Sequence, residues 1–395
     1  MDFYLLIFRD KRDEICNFVE ETGRILAESN FVVCFLINET VTLRDLLFGV
    51  SPVTKSPYGF YFIKPVSLFE LGTLPKFHAA NIILNIYVIT MVSYVMQWCG
   101  RIHKRYLWLF HPYDFDIFKL LKIHYFSIYD VVDYFPASEF ILSAEMRSRE
   151  QLLVRSCDLV VAISPKVVDH VSSIAPNVTL VPQGFRRDEF IHPLPLPYSL
   201  QKQFKELSQK PIIGFVGGIN HRIDFALVKG VAQKCLHHNF VFVGPDQTDQ
   251  DKHVGLKVGT TAKLVEDLSR LPNVFFLQMS VQQKYIPAIL NLFAICMVPY
   301  DTRQEFNQFC YPMKIFEYFY SGKPVVSTDI PSLKKYSPFV QCSNSVRGWR
   351  EILSRYSLVQ WPITYIKQQR RIASENSWRR KVSRIMRLTH IKKRR

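Results

Sequence analysis

Short apolar runs alternate with longer mixed segments along the whole of this 395-residue chain. Runs at 4–8, 31–37, 106–110, 125–129, 158–163 and 178–181 read as strands. A second set falls at 212–217, 240–244, 274–277, 294–298 and 324–327. Between them, 13–29, 144–155, 224–237 and 313–320 mix polar and apolar positions as helices do. Central runs such as Phe240-Val-Phe-Val243 are apolar on both faces, as strands buried between two helix layers must be. The alternation predicts an α/β protein of doubly wound, Rossmann-like layers.

The pattern breaks once. Pro193, Pro195 and Pro197 punctuate a stretch without period, and polar residues follow up to Lys210. The reading is a first domain at 1–195, a linker at 196–210 and a second domain at 211–362. A basic C-terminal helix and tail follow at 363–395. There Trp378, Val382, Ile385 and Met386 make one apolar stripe, expected to pack back on the first domain. Residues 79–99 are apolar and long enough to cross a bilayer. Asn81, Asn85 and Gln97 interrupt them, and Ile82, Ile86, Ile89 and Val92 share a face, so a buried or interfacial helix is expected rather than a spanning one.

With 48% hydrophobic and 21% charged residues, disorder is excluded for the bulk of the chain. The net charge of +16 is concentrated at the end: residues 367–395 hold twelve Lys or Arg against Glu375 alone. That tail is expected to meet an anionic membrane surface, with no specific nucleic acid as partner. None of the eight cysteines forms a C-x-x-C pair, so zinc is not expected. Thiols inside apolar runs, such as Cys34 and Cys296, suit a reducing compartment, and the expected location is cytoplasmic, peripheral at the inner membrane face.

The second half carries the chemistry. Gly214-Phe-Val-Gly217-Gly218-Ile-Asn-His-Arg222-Ile-Asp224 reads as a strand, a glycine turn and a helix start. Such a turn lets backbone N–H groups approach a phosphate. A second strand ends in Val243-Gly244-Pro245-Asp246. Farther on stands Tyr311-Pro312-Met313-Lys314-Ile-Phe-Glu317-Tyr-Phe-Tyr-Ser-Gly322-Lys-Pro324-Val-Val-Ser-Thr328. Lys314 and Glu317, three apart, share a helix face.

In this order the motifs resemble the family 4 (group 1) glycosyltransferases, and within them the teichuronic acid biosynthesis type. The resemblance extends upstream through Asp158-Leu-Val-Val-Ala-Ile-Ser164, Val181-Pro-Gln-Gly-Phe185 and Tyr129-Asp130-Val-Val-Asp133. It implies the GT-B fold, two Rossmann-like domains facing across a cleft. It also implies transfer of a sugar from a nucleotide-diphosphate donor, a UDP- or GDP-sugar, to an acceptor hydroxyl with retained configuration. The acceptor it points to is a glycan or lipid-linked molecule in surface polysaccharide synthesis, with no bound cofactor and no metal. Glu317 would then accept hydrogen bonds from the donor ribose, and Lys314 and Arg222 would face the diphosphate. Gly217, Gly218, Gly244, Pro312 and Met313 would line the donor site. In the first half, Asp133 and His111 are the candidates for catalytic or acceptor contacts; packing beside Pro112 is the alternative for His111.

Some positions depart from the family pattern. Phe309 stands where an acid often contacts the sugar, Gln278 where a glycine is frequent, Ala294 for an aspartate, and Arg186 for the aspartate after the Pro-Gln-Gly turn. These substitutions keep open a non-catalytic GT-B scaffold or partner subunit, or a sugar-nucleotide epimerase of similar fold. Asp114 and Asp116 form an Asp-x-Asp pair, but in the half opposite the donor site, and no metal is assigned to them.

Overall fold

Burial on both faces, read from apolar runs, becomes two parallel sheets in the computed structural model, which describes residues 1–9, 17–67, 75–137, 143–175, 178–278 and 281–392. The first half supplies β1 (Phe3–Phe8), β2 (Phe31–Leu36), β3 (Val41–Thr42), β4 (Val53–Lys55), β5 (Tyr61–Ile63), β6 (Val66–Ser67), β7 (Arg105–Leu109), β8 (Phe126–Val131), β9 (Leu159–Ala162) and β10 (Val178–Leu180). Eight of these form one sheet in the order β10-β9-β8-β7-β1-β2-β5-β4, and only β4 runs antiparallel to its neighbour. Every residue of β1 is buried, as the central position requires. The second half supplies β11 (Ile212–Val216), β12 (Asn239–Gly244), β13 (Val274–Gln278), β14 (Ile295–Val298), β15 (Val325–Ser327) and β16 (Val340–Cys342). Their order is β13-β12-β11-β14-β15-β16, parallel throughout.

The stretch 196–210, read as a linker, is largely a helix, Tyr198–Leu207. Leu200, Phe204 and Leu207 recur at i, i+4 and i+7 and are buried, so polar composition hid an amphipathic element. The tail is two helices, Ile363–Glu375 and Trp378–Lys392. The first packs on the second half, where Gln369 Nε2 donates to the Lys323 carbonyl at 2.7 Å. The chain then crosses at Ser377, which bridges Phe185. Trp378, Val382 and Ile385 join the core that holds Tyr4, Tyr106 and Val181 on the first sheet. The start of the 13–29 segment lies outside the described residues, and its helix is described over Asn17–Ala27. The tail residues 393–395 also lie outside them.

Candidate active site

Sheet order places the site. In the second sheet the chain moves outward from β11 to β13, then returns to the other side of β11 with β14. The crevice between β11 and β14, at their C-terminal ends, is where open α/β sheets take ligands. Gly217 follows β11 and Tyr300 lies just beyond β14. Both line a cleft of about 560 Å³ whose opposite wall, from the first half, includes Val132, Asp133 and Gln183.

Two glycine turns make the floor. Gly217, at φ +144°, donates its N–H to the Val243 carbonyl at 2.9 Å. A Cβ on Gly244 would collide with the Gly217 carbonyl oxygen, and one on Gly217 would come within 2.5 Å of Lys314 Nζ. Glycine suits both positions, by the backbone contact at Gly244 and by the positive φ of each. Gly218 does not line the cleft; its missing side chain makes room for Gln247 instead.

Two cations face this floor. Lys314 Nζ lies 3.7 Å from the Phe215 ring centroid and 5.2 Å from that of Tyr300. Burial pulls its pKa down, while Tyr300 and Glu317 act to hold it up. The Arg222 guanidinium lies 4.5 Å from the Tyr300 ring and 4.6 Å from Phe306, and its Nε donates to Asn307 Oδ1 at 2.8 Å. Aromatic faces thus fix both charges without neutralising them. One helical turn after Lys314, Glu317 accepts a 2.7 Å hydrogen bond from Gln283 Nε2, and burial raises its pKa. Pro312 and Met313 complete this wall.

Asp133 faces the cleft from the end of β8. Burial pushes its pKa up to about 6, against the pull of Arg222 and of the Tyr134 N–H. His111 is not among the lining residues. It caps the short helix Pro112–Asp114, where Nδ1 accepts from the Tyr113 N–H at 3.2 Å, and its ring lies 4.4 Å from Phe135. Burial, aided by Arg9, lowers its pKa to about 3, so it is a neutral packed residue, the alternative reading of the sequence. Asp114 pairs with Arg9 at 2.8 Å, and Asp116 pairs with Lys119 and Arg149.

Lys381 corrects the picture of a free cationic tail. It is buried, 3.0 Å from Asp130 Oδ2, and it donates to Gln183 Oε1 at 2.7 Å. One residue from Val382, it lies on the buried side of its helix, which a count of charges does not reveal. Phe309 stacks on Tyr134 at 4.1 Å, its carbonyl accepts from Ser164 Oγ at 2.6 Å, and Lys166 donates to Gln308 at 2.7 Å. The substituted position therefore joins the two halves beside the cleft. Arg186 is held by Glu20, Glu21 and Glu189, and Gln278 by Asp246. Gln283, Tyr300, Asn307 and Cys310 join the site with no spacing signal in the sequence. Among the described residues no cluster of three metal-ligating side chains is present.

Residues 210–338 match the family described as Glycosyl transferases group 1. A stretch of 190 residues is 30% identical to TuaH of Bacillus subtilis (strain 168), a protein named for teichuronic acid biosynthesis as a glycosyltransferase. That stretch is 46% of this chain and spans only 44% of the relative's length. A sucrose-phosphate synthase from Thermosynechococcus elongatus superposes with a TM-score of 0.67 at 13% identity, over 99% of this chain and 98% of that one. Anabaena HepE in complex with UDP gives 0.69 at 13% identity, over 99% and 100%. The E. coli trehalose-6-phosphate protein bound with UDP-2-fluoro glucose gives 0.69 at 9% identity, over 99% of both chains. At these identities the structures speak for the fold. The chain thus has the two-sheet GT-B fold, and its residues 210–338 are similar to the glycosyl transferases group 1 family.

Proposed function

We propose that this protein transfers a sugar from a nucleotide-diphosphate donor to an acceptor hydroxyl. The observation that carries the reading is the juxtaposition of the Gly217–Gly244 floor, two aromatic-backed cations and a carboxylate one turn from Lys314. Open backbone and fixed cations suit a diphosphate, whose charge grows as the glycosidic bond breaks. Glu317 is an acceptor-only group when ionised and suits ribose hydroxyls. Two structural neighbours are complexes with UDP or a UDP-sugar, which supports a UDP-sugar donor. The acceptor enters beside Asp133, whose charge orients its hydroxyl, and the departing diphosphate takes the acceptor proton with retention at the anomeric carbon.

The same reading puts a surface-polysaccharide or lipid-linked glycan in the acceptor role, supported by the name of the Bacillus relative. It puts the reaction in the cytoplasm, supported by seven described cysteines that are all free. The test is release of UDP or GDP from a panel of sugar nucleotides, with product configuration read by NMR. Release from one donor, lost in Glu317→Ala, is expected. No release and no nucleotide binding across the panel would replace the reading with a non-catalytic scaffold.

A further inference from the structure

The helix Pro75–Trp98 turns an apolar face outward. Its buried side mixes Ile86 and Ile89 with polar residues. Asn81 Nδ2 donates to Ser67 Oγ at 3.1 Å, and Asn85 exchanges hydrogen bonds with the Val66 backbone, both 3.1 Å. Tyr125 donates to Thr90 at 3.2 Å, and its hydroxyl lies 3.4 Å from Ser93 Oγ. Its outer side is apolar: Leu84, Val88, Met91, Val92, Val95 and Trp98 are all exposed, Trp98 by 88%. A surface helix of a water-soluble domain turns a polar face outward. An apolar groove of about 370 Å³ separates the helix from β4 and β5.

Cations stand at the end of this face. Arg101 is exposed just past the helix, where its N–H donates to the Met96 carbonyl at 2.9 Å, and the Arg105 guanidinium sits 3.4 Å over the Tyr94 ring. Lys64 lines the groove and pairs with Glu39. Apolar residues and an aromatic, basic end make a surface for the headgroup region of an anionic bilayer. The helix does not span. Ile86, Thr90 and Ser93 are fully buried against the first sheet, so it can only lie along the interface.

We propose that the outer face of the helix Pro75–Trp98 docks this protein onto an anionic lipid surface. The helix then supplies the apolar membrane contact, and of the basic tail Lys381 is committed to Asp130 inside the protein. This inference stands independently of the glycosyl-transfer reading.

The test is flotation of the full chain with phosphatidylcholine vesicles, with and without phosphatidylglycerol, at low and high salt. Three chains are compared: wild type, Val88→Glu/Val92→Glu, and a chain ending at Leu388. Wild type and the shortened chain should float with phosphatidylglycerol vesicles, and the double variant should bind at least about tenfold more weakly. Vesicles should also shift Trp98 emission to the blue, and brominated lipid should quench it, in a signal that Trp98→Phe removes. That readout needs no charged variant to fold. Absence of flotation at low salt would overturn the proposal. So would flotation lost with the tail but kept in the double variant. A dimer seen by light scattering without vesicle binding would assign the face to a second copy of the chain.

Discussion

The ammonium of Lys314 stands 2.5 Å from the point a Cβ on Gly217 would occupy. The donor-side cation is therefore seated against backbone that suits glycine. Gly217→Ala has to displace Lys314 and hold an L side chain at φ +144°, at a cost of about 1–3 kcal/mol. Calorimetry with UDP and GDP should show affinity falling with this variant and with Lys314→Ala. Unchanged affinity in a folded Gly217→Ala protein would take the phosphate away from this turn.

Glu317→Ala should weaken nucleotide binding by about 1.5–3 kcal/mol, the scale of a hydrogen bond to a charged group. Gln283→Ala is the control, because Gln283 is the partner of Glu317 in the unliganded cleft. It should leave more affinity than Glu317→Ala does. Equal losses of melting temperature in both variants, with affinity intact, would make the pair structural.

Asp133 gives a pH signature. Its pKa of about 6 lies above the ordinary 3.8, so keeping it ionised disfavours the folded state. The native protein takes up the proton first, and stability from this group is lost as pH rises through 4–6. Asp133→Asn should then be more stable than wild type at pH 7.5, by on the order of 1–3 kcal/mol, and equal to it below the unfolded pKa. Turnover should fall in the variant, and in wild type as pH drops through about 6, while nucleotide binding is kept. An acid limb that survives in Asp133→Asn would assign it elsewhere; His111, with a pKa near 3, titrates too low to supply it.

Lys381→Met leaves Asp130 buried without its cation, at a cost of about 3–5 kcal/mol. Adding Asp130→Leu should recover most of that loss in urea unfolding. If the single variant melted like wild type, the pair would have no part in holding the last helix.

Much of this site could be read from the chain, because glycine turns and an i, i+3 Lys–Glu pair are local signals. Gly217, Gly244, Lys314 and Glu317 meet through strand ends that the apolar runs already marked. Tyr300 and Gln283 reach the cleft from segments that sheet order alone brings together, and no spacing announces them. The short strands β4, β5 and β16 escaped the reading of apolar runs. Lys381 and His111 misled for one reason: residue type does not tell which way a side chain faces. Composition found the helix near residue 90 but not which of its apolar positions stay exposed, since polar partners such as Ser67 and Tyr125 take part of its buried side.

The packing of Trp378, Val382 and Ile385 against Tyr4 and Tyr106 orders events during synthesis. The strands of the first sheet are complete at Leu180, but one face of it waits for a helix that ends at Lys392. At a translation rate of about 5–20 residues per second, the part of that face not covered by the helix Asn17–Ala27 stays open for roughly 10–40 s. In the meantime Asp130 is held without Lys381, in a layer not yet closed. A nascent chain arrested at residue 362 would therefore expose apolar surface to chaperones, and the first sheet can finish folding only after the helix Trp378–Lys392 has been made.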